Sequence, residues 1–138
     1  MITLSFLKLL EDEGFGTIDV DLFFQKLTLD KKGVYIADVG NPVAKGSRDT
    51  QSYELLARGD NDVDGYKALR DIRKFLAQNY SNICELPAVP DPNNPDNIIT
   101  EGYTNVELSK PSTITNVGLD AQNRIIYSMT GTIIYKEK

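Results

Sequence analysis

Apolar residues recur at helical spacing from the first residues onward. Ile2, Phe6, Leu9 and Leu10 share a stripe, and Gly14 follows where a C-terminal cap belongs. This predicts a short amphipathic helix over residues 2–13. Between Ile18 and Leu27, the run Val20-Asp21-Leu22-Phe23-Phe24 has no decisive period and fits a strand or a helical turn. From Gly33 to Val39, Val34 and Ile36 alternate with Tyr35 and Ala37, which predicts a strand. Gly40 to Asp49 contains Asn41, Pro42, Gly46 and Ser47 and reads as a loop. Gln51 to Ala57 returns to period two, with Tyr53, Leu55 and Ala57 on one face.

Val63 to Tyr80 carries the clearest helical pattern. Ala68, Leu69, Ile72, Phe75 and Leu76 form its apolar stripe, and Lys67, Arg70, Asp71 and Lys74 take the wetter side. Asp60, Asp62 and Asp64 precede or open this helix and Arg70, Arg73 and Lys74 occupy its later half, the order that its macrodipole favours. Pro87, Pro90, Pro92 and Pro95 crowd the next segment, so residues 86–97 read as an extended loop or arm. Ile98 to Leu108 and Thr113 to Val117 are β-rich. Arg124 to Tyr135 is the strongest strand, with Ile125, Tyr127, Met129, Ile133 and Tyr135 on one face and Ser128, Thr130 and Thr132 on the other. Asp120 to Asn123 suits the hairpin loop before it. The order of elements predicts an α+β fold: an antiparallel β-sheet with a central helix packed across it and a short N-terminal helix.

The 138 residues fit a single domain over 1–138, with the proline-rich arm as its one irregular excursion. The net charge of −5 argues against tight nucleic-acid binding without a strong local basic patch. Histidine is absent and cysteine occurs once, at Cys84, so Ser-His-Asp, Cys-His and His/Cys zinc chemistry are excluded. Cys84 sits in an apolar stretch and reads as a small buried hydrophobe. The N-terminal apolar run is broken by Lys8 and lacks the features of a signal peptide, and no run approaches a membrane span. No catalytic residue, cofactor or metal site is expected.

The stretch ARGDNDVDGYKALRD, Ala57 to Asp71, admits three readings. Arg58-Gly59-Asp60 spells an adhesion tripeptide. Asp60, Asp62, Asp64 and Asp71, with Gly65, approach the spacing of a calcium loop, although the twelfth position holds Asp instead of the bidentate Glu and a strand pattern precedes it. The third reading is favoured. Gly59 permits a sharp exit from the strand, and Asp60 or Asp62 caps the helix that follows. The acidic cluster Asp12, Glu13, Asp19 and Asp21 reads as solvated charge beside a loop, and Arg70, Arg73 and Lys74 as a solvated helix face or subunit contact.

A strand ending in Arg58-Gly59, an acidic turn and the helix GYKALRDIRKFL give Leu22 to Leu76 a recognisable order. It resembles the minor capsid and tail-terminator proteins of long-tailed bacteriophages. The match spans a little over a third of the chain, and the last third agrees only in being β-rich. The resemblance implies a tail-terminator-like fold and a non-enzymatic virion protein, assembled in the bacterial host cytoplasm. It implies a homohexameric ring at the head-proximal end of the tail tube that ends tube growth. Its partners would be other copies of itself, the tail tube protein and the head-neck connector proteins, with DNA passing through the ring and no membrane involved. A different neck role, head closure or head–tail adaptor, is the near alternative, and a calcium-dependent binding module is the distant one. A ring needs two complementary patches per subunit, and the arm bearing Pro87, Pro90, Pro92 and Pro95 is the expected assembly interface.

Overall fold

A computed structural model describes residues 2–25, 31–79 and 83–136. The elements run α1 (Ile2–Asp12), β1 (Leu22–Phe24), β2 (Gly33–Lys45), β3 (Arg48–Arg58), α2 (Asp64–Asn79), β4 (Ile83–Leu86), β5 (Val89–Asp91), β6 (Asn94–Thr100), β7 (Tyr103–Leu108), β8 (Thr115–Leu119) and β9 (Ile125–Tyr135). The fold is mixed α+β. The main sheet follows the order β1-β2-β3-β9-β7-β4, with β8 also paired to β9, and β5 and β6 form a separate hairpin. Every pairing between these strands is antiparallel except β1 with β2.

The ambiguous run around Val20 resolves as a short strand, Leu22–Phe24, lying beside Val34–Ile36. Thr17 nucleates the turn before it, its carbonyl accepting from the amides of Val20, Asp21 and Leu22. The expected loop at Gly40–Asp49 is a correction: Lys45 pairs with Arg48 around a two-residue turn, and β2 and β3 form one long ribbon. Gly46 opens that turn at φ +66°, the left-handed conformation its first central position needs. The polar, glycine-containing composition that reads as a loop is here an exposed ribbon end with a bulge between Val39 and Val43.

β9 is paired along both edges. β3 lies on one side, while β7 and β8 share the other as a single track interrupted near Pro111. In that interruption Ser109 and Ser112 hold the ladder, each donating its backbone amide to β9 and accepting a β9 amide at its hydroxyl oxygen.

Both helices contribute to one core. Phe6, Leu7 and Leu10 from α1 and Leu69, Ile72 and Leu76 from α2 are buried with Tyr53, Leu55, Met129 and Ile133. Burying each such side chain is worth about 1.5–3 kcal/mol, which is why the two periodic stripes dictate where the helices sit. α1 ends in a Schellman cap. The Phe15 amide donates to the Leu10 carbonyl and the Gly14 amide to the Glu11 carbonyl, with Gly14 at φ +86°. Ile2 through Leu7 are all buried, so α1 is covered on its outer side as well as against the sheet.

Candidate assembly surface

The Ala57–Asp71 stretch is a structural junction. Arg58 is only 7% exposed and pairs with Asp120 at 3.2 Å, while its Nε donates to the Lys31 carbonyl at 2.9 Å. The tripeptide is therefore not presented to a receptor. Asp120, in the β8–β9 turn, also accepts from the Arg124 side chain at 2.9 Å and from the Gln122 and Arg124 amides. Burial pushes the Asp120 carboxyl up, but the Arg124 and Gln122 amides and the Arg124 guanidinium outweigh it and hold the group below its ordinary value. One carboxylate thus ties the end of β3 to the turn before β9.

One expectation about this junction is corrected. Asn61, not Asp60 or Asp62, caps α2: its Oδ1 accepts from the Val63 and Asp64 amides at 3.0 and 2.9 Å. Gly59 is needed for close approach, because a Cβ there would overlap the Asp64 side chain. Gly65 serves the same end, since a Cβ would sit 2.8 Å from the Ala57 carbonyl oxygen and force α2 off the strand. The carboxylates of the calcium-like spacing go separate ways. Asp60 pairs with Lys32, Asp71 lies within α2 beside Arg70, and among the described residues no three acidic or cysteine side chains are placed to hold a metal ion.

Asp12, Glu13, Asp19 and Asp21 are all exposed, in line with solvated charge beside a loop, while Glu11 ties α1 to that loop. Glu11 accepts from Lys8 and from the Ile18 amide, both at 2.6 Å, and Asp21 accepts from the Thr17 amide. The Lys8 hydrogen bond, then the Ile18 amide, lower the Glu11 carboxyl below its ordinary value. Cys84 is half-buried against the core, and burial, followed by the Glu85 charge, pushes its thiol up and away from nucleophilic reactivity.

The expected proline arm is a folded hairpin. Pro90 lies in β5 opposite Ile98, Pro92 begins the turn, Pro95 lies exposed in β6, and Pro87 is half-buried just before β5. Prolines are tolerated because each of these strands has a single partner and the register shifts on both sides of Pro90. The Asp91 side chain closes the turn by accepting from the Asn93 amide at 2.9 Å. The hairpin folds over α1, and between them lies a cleft of about 380 Å³. Leu4, Ile18, Phe24, Val89, Pro90 and Ile99 give it an apolar lining, with Lys8, Glu11 and Asp19 also bordering it. Pro90 and Pro92 reach the cleft; Pro87 and Pro95 do not line it.

Strand edges supply the remaining surface. β1 pairs with β2 only as far as Ile36, and the Gln25 side chain adds one bond to the Asp38 amide. Beyond that, from Val39 to Lys45, the outer edge of β2 has no strand partner among the described residues. Val39 and Val43 are exposed there, as are Val117 and Leu119 on β8, Ile83 on β4, and Ile98 and Ile99 on the hairpin. Sequence reasoning found the hairpin segment but missed the free β2 edge, because that edge lay inside the misread loop.

No protein-family model matches this chain, and no curated protein matches it. Among the described residues no helix is long and apolar enough to cross a membrane. The described surface offers an apolar cleft and an unpaired strand edge.

Proposed function

We propose that the protein is a tail terminator of a long-tailed bacteriophage. It assembles as a homohexameric ring on the head-proximal end of the tail tube, ends tube polymerisation and presents a surface to the neck. The observation that carries this reading is the β2–β3 ribbon, whose outer edge is unpaired from Val39 to Lys45 among the described residues. Past the bulge and Pro42, the free edge at Val43 to Lys45 is a template for pairing with a neighbouring chain. It lies within Leu22–Leu76, the stretch that carries the resemblance to tail terminators. The net charge of −5 suits a ring through which DNA slides without being held. The protein acts by shape and not by catalysis, in the virion neck, after assembly in the host cytoplasm.

Negative-stain electron microscopy combined with light scattering tests the proposal. A ring of six copies with a central hole a few nanometres wide is the expected result. A monomeric mass without rings, both alone and with isolated tail tubes, overturns it.

A further inference from the structure

Charge is divided unevenly along this chain. Residues 2–25 and 83–108 build α1, β1 and β4 to β7. They carry ten of the twenty carboxylates and a single cation, Lys8. The rest of the chain holds the other fourteen cations and is net positive. These segments are net acidic and the remainder is net positive, despite a modest overall charge, although Glu107 pairs with Arg48 and Lys8 with Glu11 and Asp12.

The basic part has an ordered face. Val63, Tyr66, Lys67, Arg70 and Lys74 are exposed, and their spacing sets them on one outer stripe of α2 and the turn before it. Val63 and Tyr66 are among the large apolar side chains left in solvent, 49% and 42% exposed. The cleft between α1 and the β5–β6 hairpin offers the converse. Its lining is mostly apolar; Lys8, Glu11 and Asp19 also border it, Lys8 being paired with Glu11 and Asp12, and the hairpin beside it carries Asp91 and Asp96 with no cation.

We propose that the α1–hairpin cleft receives the outer stripe of α2 from a second copy of this chain. Val63 and Tyr66 enter the apolar lining, and Lys67, Arg70 and Lys74 lie against the surrounding carboxylates. An amphipathic helix laid into an apolar groove is a recurrent recognition mode, and the opposed charges set its register and direction. The two surfaces belong to different elements of each subunit, so the contact is head to tail and closes into a ring when the rotation permits. The inference rests on the ring-forming reading and names the contact that joins its subunits.

Charge reversal on exposed positions tests it. One variant carries Arg70→Glu and Lys74→Glu on α2; the other carries Asp96→Lys and Glu101→Lys on and beside the hairpin. Circular dichroism establishes that each is folded. Native mass spectrometry is expected to show loss of the oligomer in each variant alone and its recovery, with alternating copies, when the two are mixed. High salt is expected to weaken the wild-type oligomer. Oligomers that persist in both single preparations, or a mixture that stays dissociated, overturn the contact. Wild-type rings that withstand both reversals reject this contact and leave the ring reading standing. A wild-type chain that does not self-associate at any salt concentration, alone or with isolated tail tubes, rejects both.

Discussion

Tyr53 and Gly131 face each other across β3 and β9, and the Tyr53 phenol fills the space that a side chain at Gly131 would need. The Phe6 ring of α1 packs on the same phenol with centroids 4.9 Å apart, so the glycine gap seats both the strand and the helix above it. Burial pushes the Tyr53 hydroxyl far up in pKa, and its oxygen has no hydrogen-bond partner among the described residues.

This geometry makes two opposite predictions. Gly131→Val forces the ring out of its seat and is expected to cost about 1–3 kcal/mol, as overpacking does. Tyr53→Phe removes an unsatisfied buried hydroxyl, so stability is expected to hold or rise. Urea unfolding of both variants checks the pair. A Tyr53→Phe loss as large as that of Gly131→Val would show that the hydroxyl has a partner after all.

What the sequence reveals about this fold depends on how far apart the deciding residues lie. The α2 stripe and the alternation of β9 are local, so Leu69, Ile72, Met129 and Ile133 are recognisable as core from spacing alone. The β2–β3 ribbon is hidden because Gly40, Asn41, Pro42 and Gly46 also suit a loop, and only the cross-strand pairing of Val43 to Lys45 with Arg48 to Thr50 shows otherwise. The fit of Tyr53 to Gly131 and the pairing of Arg58 with Asp120 join residues distant in sequence and leave no local pattern. The candidate surface is legible in the same measure. The prolines mark the hairpin segment, but nothing local shows that Val89 and Pro90 fold back towards Leu4.

Capping of α2 separates three neighbouring side chains that composition treats alike. Asn61→Ala removes the acceptor for the Val63 and Asp64 amides and is expected to cost about 1 kcal/mol. Asp62→Ala is expected to stay within about 0.5 kcal/mol, as surface substitutions do. Calcium is expected to leave the melting temperature unchanged, since Asp60 and Asp71 are engaged by Lys32 and Arg70 in different places. Calorimetry with and without calcium measures both; a calcium-dependent rise would restore the loop reading.

Asp120 predicts a pH dependence with a definite sign. Its folded pKa is depressed, so the stabilisation it supplies is fully present above the ordinary aspartate value of about 3.9 and drains as pH falls through the lower folded value. Asp120→Asn is expected to lower stability at neutral pH, because it weakens the links to Arg58 and Arg124, and to flatten the decline on the acid side. Denaturant midpoints measured from neutral to acid pH test it. Parallel curves for the two proteins would show that Asp120 is not titrating against those partners.

The hairpin predicts a coupling between assembly and stability. Val89 is 7% exposed and faces the cleft beside Leu4, so the segment covers α1 as well as offering a surface. Val89→Ala is expected to cost about 1–3 kcal/mol by cavity formation and lost burial. Pro95→Ala, at an exposed position, is expected to change stability by less than about 0.5 kcal/mol. Deleting Val89 to Asn94 removes that cover from α1, and the expected result is a lower unfolding midpoint for the monomer together with any loss of oligomer mass. Light scattering and urea unfolding on the same preparations distinguish the two roles. A deletion that reduces mass and leaves the midpoint unchanged would show the hairpin to be a free arm, and one that lowers the midpoint while mass holds would confine it to covering α1.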